Sequence, residues 1–252
     1  LGIVSDERSN AIKGFADGAR YQGARPGYPG EAVRAMVTTM RLREARLVVD
    51  VGAGTGLFTR ELVPYCANIV AVEPSAGMRH EFEQQHLGVE VLAGTGESLP
   101  FADHSVDAVT VAQAFHWFDP WVALAEMKRI LVPGGHLGLI WNERDESVEW
   151  VDAMSRAMLW DKRQPYRVGM DFVPVLEEGG LVEIEVGHFR HNQLVDRATL
   201  LQRVLTTSYV SVMTEPEQRR ILDDVAGVIE GFPETFELPY TTTTYCARTP
   251  GA

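Results

Sequence analysis

Short apolar runs alternate with amphipathic stretches along this chain, and the alternation predicts its architecture. Arg46–Val51 (RLVVDV), Ile69–Glu73, Val89–Ala93, Ser105–Ala112 and His136–Trp141 are short and mostly apolar, the pattern of strands buried on both faces. Between them lie helix-patterned segments at Leu57–Tyr65, Ala76–His86 and Pro120–Leu131. The last of these places Val122, Ala125, Met127 and Ile130 on an expected buried side, and Pro133-Gly134-Gly135 breaks it. Upstream, a Pro/Gly loop at 21–30 precedes Glu31–Leu42, where Val33, Met36, Val37 and Met40 fall close to helical spacing. Apolar strands alternating with helices predict an α/β fold with a parallel sheet covered on both sides.

After Asn142 the texture changes. Helices are expected over Ser147–Trp160, Phe172–Glu178, Asp196–Leu205 and Pro216–Ile229, and strands over Leu181–Phe189 and Glu237–Ala247. The organisation read from this is one domain over 1–252. Its core comprises 46–146, 181–191 and 237–248, and a helical lid is built from 1–45, 147–180 and 192–236. Insertions of this kind commonly carry specificity.

Composition narrows the function. The 252 residues suit one large domain, or one domain with a lid. Asp plus Glu outnumber Lys plus Arg by 35 to 23, a net charge of −12, which argues against nucleic acid or an anionic membrane as partner. No apolar run approaches the ~18 residues of a membrane span. Leu1–Asn10 contains acids and no apolar stretch, so no secretory leader is expected. Cys66 and Cys246 fit a reducing, cytoplasmic compartment and read as small buried hydrophobes. No metal is expected: His188 and His191, three apart on a strand, point to opposite faces, and His80 and His86 do not share a helix face well.

The strongest chemical signal is Val49-Asp50-Val51-Gly52-Ala53-Gly54-Thr55-Gly56-Leu57, a glycine-rich turn leaving a strand and opening a helix. Glycines permit the sharp turn and the close approach of a ligand, and the helix start adds free N–H groups. Glu73 ends the second strand 23 residues after Asp50, where an acid can accept hydrogen bonds from both ribose hydroxyls of an adenosine ligand. The bland alternative for Glu73 is a capping acid for the helix that Pro74-Ser75 begins. The glycine order is G-x-G-x-G, with Leu57 where a dinucleotide fingerprint carries glycine, which disfavours an NAD-dependent oxidoreductase.

These residues resemble those of the class I S-adenosylmethionine (SAM) dependent methyltransferases. VDVGAGTG at 49–56 resembles the family's first motif and AVEP at 71–74 its ribose-binding acid. GTGESLPFADHSVDAV at 94–109 and LVPGGHLGL at 131–139 are similar to later blocks, in the right order. YQGARPGYP at 21–29 and AQAFHWFDP at 112–120 resemble a narrower group of small-molecule methyltransferases, trans-aconitate methyltransferase among them. The resemblance implies a Rossmann-like, doubly wound, mainly parallel seven-stranded sheet with a helical lid over the carboxyl ends of the strands. It also implies SAM as cofactor and a small-molecule acceptor.

Carried over by position, it puts Gly52, Ala53 and Gly54 at the methionine part of SAM, Asp50 among the cofactor-binding residues and Glu73 at the ribose. Gly96 and Glu97 lie beside the adenine, with Met78 on its face. Gln113 faces the methionine moiety or the methyl group, and Tyr21 and Arg25 close over the cofactor, Arg25 as partner for its carboxylate. Many relatives carry Asp-Ala before that glutamate where this chain has Thr95-Gly96, so the usual acid for the adenine amino group is absent.

On the acceptor side, His116 reads either as a general base or as a structural histidine in an aromatic cluster. Trp117, Phe118 and Trp121 read as an apolar acceptor wall, although Trp121 could equally pack the following helix. Lys162, Arg163 and Arg167 read either as an acid-binding group or as a solvated loop, and Tyr209 could face the acceptor. The expectation is methylation of a small molecule at oxygen, with carboxylate favoured on the resemblance. The rivals are a non-catalytic SAM-binding protein, a nucleic-acid or protein methyltransferase, and the oxidoreductase.

Overall fold

The computed structural model describes residues 25–158 and 171–251. Strands β1 (Val48–Val51), β2 (Ile69–Val72), β3 (Glu90–Leu92), β4 (Val106–Ala112), β5 (Leu131–Arg144), β6 (Val182–Asp196) and β7 (Thr235–Arg248) form one sheet. Its order is β3-β2-β1-β4-β5-β7-β6. The first five are parallel, and β7 enters antiparallel between β5 and β6. This is the mainly parallel seven-stranded sheet that the sequence leads one to expect. Among the described residues no helix is long and apolar enough to cross a membrane.

Two apolar layers flank the sheet. On one face α1 (Gly30–Thr39) and α2 (Leu57–Leu62) pack Met36, Val37, Phe58 and Leu62 against Val48, Ala108, Ile140 and Cys246. Gly138 on β5 lies against the Met36 and Met40 side chains, so any side chain there would collide with α1. Thus α1 belongs to the sheet's own covering layer, whereas the sequence suggested a lid for 1–45. On the other face α4 (Pro120–Ile130) and α6 (Val173–Glu178) bury Leu124, Met127, Ile130 and Leu176 against Val109, Val111 and Leu139. The remaining helix of the parallel half is α3 (Ala76–Gln84).

Helix α4 corrects the expected stripe. Its buried residues are Ala123, Leu124, Met127 and Ile130, while Val122 is 49% exposed and Ala125 also faces solvent. The phase is set at the helix start, where the Asp119 carboxylate accepts the N–H groups of Trp121 (3.0 Å) and Val122 (3.2 Å) and Pro120 takes the first turn. That cap turns Trp121 and Val122 outward. Pro133-Gly134-Gly135 also differs from expectation. The helix already stops at Ile130 and β5 begins at Leu131, so the tripeptide lies within the strand and bulges between two paired points, Val106↔Leu131 and Ala108↔His136.

The C-terminal half builds a third apolar cluster. β6 and β7 extend beyond their expected ends, pairing from Asn192↔Pro239 to Asp196↔Thr235. Helices α5 (Glu149–Ala157), α7 (Arg197–Leu205), α8 (Ser208–Ser211) and α9 (Glu215–Val228) pack Met154, Leu200, Val204, Val210 and Val225 with Leu238 and Tyr240 of this extension. Burial pushes the Cys66 thiol up to about 11 and Cys246 up to about 12, with Asp50 and Glu185 adding to the respective shifts, so both cysteines stay protonated and unreactive.

The phase of α4 is testable by paired truncations. Met127→Ala should destabilise the protein by about 2–4 kcal/mol. Val122→Ala should change stability by less than about 0.5 kcal/mol. Urea unfolding of both variants compares them directly, and equal losses would contradict the packing described.

Candidate active site

The sheet order reverses between β1 and β4, and in such sheets the crevice beyond the carboxyl ends of the strands is where ligands bind. The glycine turn leaves β1 at this point. Gly52 (φ 70°), Gly54 (φ 57°) and Gly56 (φ 86°) all adopt left-handed backbone. Their surroundings differ. A side chain at Gly52 would sit 2.5 Å from the Ala114 Cβ, whereas one at Gly54 would meet nothing within 4 Å. Gly52 is therefore required by packing, and Gly54 lies on the open side of the turn.

Asp50 lies beneath the turn, fully buried. Its carboxylate accepts hydrogen bonds from the hydroxyls of Thr59 on α2 (2.6 Å) and Thr110 on β4 (2.8 Å). The sequence places Asp50 among the cofactor residues; the structure gives it a supporting position, joining β1, β4 and α2 below the crevice. Burial raises its carboxyl from an ordinary 3.8 to about 6, against the two threonine hydrogen bonds that lower it.

Glu73 follows β2. One carboxylate oxygen accepts the Gly54 N–H (3.0 Å) and the other the Ser75 N–H (2.9 Å). Each carboxylate oxygen has a further lone pair, so the group can accept a pair of vicinal hydroxyls while the backbone holds it in place. Burial raises its pKa, opposed by these two N–H groups and by the Arg79 cation. Arg79 donates to the carbonyls of Glu73 (2.7 Å) and Pro74 (2.8 Å) and fixes the corner. Ser75 caps α3, accepting the Met78 N–H at 3.4 Å, and Met78 is buried in the first turn of that helix. The helix cap is thus Ser75 and not Glu73, whose carboxylate is turned towards the glycine loop.

The third-strand block has a structural share. A side chain at Gly96 would meet the Phe118 ring at 2.7 Å, so ring and glycine are packed together. Glu97 accepts the Asp119 N–H at 2.9 Å, which ties this block to the start of α4. Thr95 pairs its backbone with Ser98. Phe118 itself is 8% exposed and packs edge-on to Phe115, inside the core.

Gln113 leaves β4 with φ 53°, a left-handed conformation that costs a non-glycine residue roughly 1–3 kcal/mol. The strain is held by two bonds to β5: the backbone N–H donates to Ile140 O (3.0 Å) and the side-chain amide to Asn142 O (2.8 Å). Asn142 in turn donates to Gly27 O (3.0 Å) and accepts the Thr242 hydroxyl (2.5 Å). This network fastens the N-terminal Pro/Gly loop to the carboxyl end of β5. Sequence reasoning missed Asn142 and Thr242; the signal available was a lone amide closing an apolar strand.

His116 sits in a short 3-10 turn (Phe115–Trp117), half-buried, with its ring 4.4 Å from Trp117 and 4.9 Å from Trp141. Arg25 donates to Thr206 O at 2.6 Å, beyond the end of α7. Tyr209 on α8 donates its hydroxyl to Met158 O at 2.8 Å, within the C-terminal helical layer. Trp121 is 46% exposed on α4, turned out by the Asp119 cap. Tyr21, Lys162, Arg163 and Arg167 lie outside the described residues.

Residues 49–139 match the methyltransferase domain family. Over 245 residues the chain is 36% identical to an uncharacterized methyltransferase of Mycobacterium tuberculosis, covering 93% of each. The chain belongs to the methyltransferase family. A methyltransferase-like protein of Schizosaccharomyces pombe is 29% identical over 227 residues, 88% of this chain and 89% of that one. Among solved structures, the YcgJ protein from Bacillus subtilis superimposes with TM-score 0.58 at 18% identity, over 88% of this methyltransferase and 99% of that chain. A phosphoethanolamine N-methyltransferase of Haemonchus contortus, solved with S-adenosylhomocysteine and phosphomonomethylethanolamine, gives TM-score 0.54 at 13% identity over 87% and 52%. The protein is a SAM-dependent methyltransferase on a Rossmann-like fold.

Two predictions follow from the buried acid and the glycine turn. The folded state holds the Asp50 proton more tightly than the unfolded chain. That contribution is complete below about 3.8 and is lost as pH rises through about 6, where the buried carboxylate costs about 3 kcal/mol. Asp50→Asn should therefore gain on the wild type by about 2 kcal/mol between pH 4 and pH 8, as read by urea unfolding at both values. Gly52→Ala should lower stability by about 2–4 kcal/mol from overlap and strained φ. Gly54→Ala should cost only about 1–2 kcal/mol of stability but weaken S-adenosylhomocysteine binding. Melting curves and calorimetric titration separate the two effects.

Proposed function

We propose that this methyltransferase transfers the SAM methyl group to an oxygen of a small molecule, with a carboxylate as the favoured acceptor. The observation that carries the cofactor part is the Glu73 carboxylate, held by the Gly54 and Ser75 N–H groups beside the open side of the glycine turn. When bound, SAM supplies an electrophilic methyl on a sulfonium with a good leaving group. The residues present fit it: the turn at 52–54 would offer backbone to its methionine part, Glu73 would accept its ribose hydroxyls, and Met78 and the 95–97 block would lie by its adenine.

The protein's task in this reading is positional, because in-line displacement needs nucleophile and methyl aligned near contact. Gln113, fixed on Asn142 O, borders the point of transfer at the end of β4. Arg25, anchored on Thr206 O, would bring its guanidinium to the SAM carboxylate at the rim. A carboxylate acceptor attacks as the anion and requires no base. His116 becomes the base only if the acceptor is a hydroxyl or amine, which must lose a proton. The charge of −12 favours a small molecule over nucleic acid. Two free thiols, Cys66 and Cys246, fit a cytoplasmic setting.

The test is transfer of labelled methyl from SAM to a small-molecule extract, followed by mild base. Release of label as methanol identifies a methyl ester and supports the carboxylate reading. Label that resists base identifies an ether or amine and overturns it, raising His116 as the base. Glu73→Gln should weaken S-adenosylhomocysteine binding by roughly tenfold or more, measured by titration calorimetry. Unchanged affinity would remove Glu73 from the cofactor site.

A further inference from the structure

The sheet face that carries Asn142 continues into a second polar row. Asn142 pairs through Thr242 with Phe189, and two residues further along the strands Arg144 pairs through Tyr240 with His191. Residues directly opposite one another share a face, and successive rows on that face lie about 7 Å apart. Helix α7 covers the second row, with the Arg203 guanidinium over the Tyr240 ring at 5.3 Å. His191 stacks on the same ring, centroids 5.4 Å apart. The row thus combines two guanidinium groups, a phenol and an imidazole from β5, β6, β7 and α7.

Arg203, Tyr240 and His191 carry enclosed, under-satisfied polar atoms. Arg203 Nε and Nη1, the Tyr240 hydroxyl and His191 Nε2 are buried with no hydrogen-bond partner among the described residues. Tyr240 is 1% exposed as a whole residue. Burial and the neighbouring Arg203 cation both push the Arg144 guanidinium below its usual value, which places two cations side by side. A buried charged donor without an acceptor is costly, and such a group in a native fold calls for an explanation. A guanidinium fork matches the paired oxygens of a carboxylate or phosphate, and the phenol adds a donor to the same anion.

We propose that Arg203, Arg144 and Tyr240 form an anion subsite that holds a carboxylate or phosphate group of the acceptor. It lies one row along the sheet from Asn142, whose carbonyl fixes Gln113. An acceptor gripped here would point its nucleophilic oxygen back towards the end of β4. The inference rests on the reading of the β1–β4 crevice as the methyl-transfer site, and it adds that the acceptor carries an acidic group for recognition. Arg25, bonded to Thr206 O three residues past Arg203, brings a further cation to the same helix end.

The test is calorimetric titration of citrate and, separately, inorganic phosphate into the full chain and into Arg203→Gln and Tyr240→Phe. The expected result is saturable binding of at least one anion to the wild type. Arg203→Gln should weaken it by roughly tenfold or more and Tyr240→Phe by about fivefold, with S-adenosylhomocysteine affinity within about twofold of wild type. Citrate binding in preference to phosphate assigns a carboxylic acid anchor; the reverse assigns a phosphorylated one. Absence of binding by both anions, or wild-type anion affinity in Arg203→Gln, overturns the subsite. Circular dichroism melts confirm that the variants are folded, and Tyr240→Phe removes one oxygen while keeping the ring that supports Arg203. Failure of S-adenosylhomocysteine to bind the wild type, with anion binding still dependent on Arg203, would overturn the crevice reading and leave the subsite standing.

Discussion

The two hydrogen bonds to the Asp50 carboxylate hold the centre of this fold in register. β1 and β4 are neighbours whose connections run to opposite sides, and the crevice between their carboxyl ends exists because the chain parts there. Thr110 fastens Asp50 to β4 and Thr59 fastens it to α2, so the glycine turn above is positioned from two sides. The Glu73 carboxylate then completes the rim by accepting the Gly54 N–H. Each layer of the site therefore rests on the one beneath it: the buried acid sets the turn, and the turn sets the rim acid.

The crevice and the second polar row use burial in opposite senses. At Asp50 desolvation opposes ionisation, and the acid is satisfied by two neutral hydroxyls. In the row of Arg144 and Tyr240 desolvation bears on cations, which resist neutralisation far more strongly because the guanidinium pKa is so high. An enclosed arginine remains charged where an enclosed carboxylate can take up a proton. A protein with 35 acidic residues nevertheless draws none of its described carboxylates into an ion pair with Arg203.

The parts legible in the sequence are those fixed over short separations. The turn at 52–56 and the acid at 73 stand at the ends of consecutive parallel strands, so chain spacing alone brings them together. The parallel sheet was legible because strands buried on both faces lose their alternation. The phase of α4 was not, since apolar residues run unbroken over 121–125 and the choice falls to the Asp119 cap. Asn142, Thr242, Arg144, Tyr240 and His191 meet only through antiparallel register across β5, β7 and β6, and no local pattern encodes that register. Arg203 joins them through helix packing, a further step removed from the sequence.

The insertion of β7 between β5 and β6 has a consequence for how the chain comes to be folded. β3, β2, β1, β4 and β5 are contiguous in the sheet and complete by Arg144, so they can associate while the remainder is still being synthesised. β6 has no place until β7 arrives, because its partner in the sheet is a strand that begins 39 residues after β6 ends, beyond three helices. The helices α7 to α9 between them depend on the same late pairing for the surface they cover. Such non-local closure is slow relative to helix formation. The C-terminal layer of the molecule is thus assembled last, onto a parallel half that can already be in place.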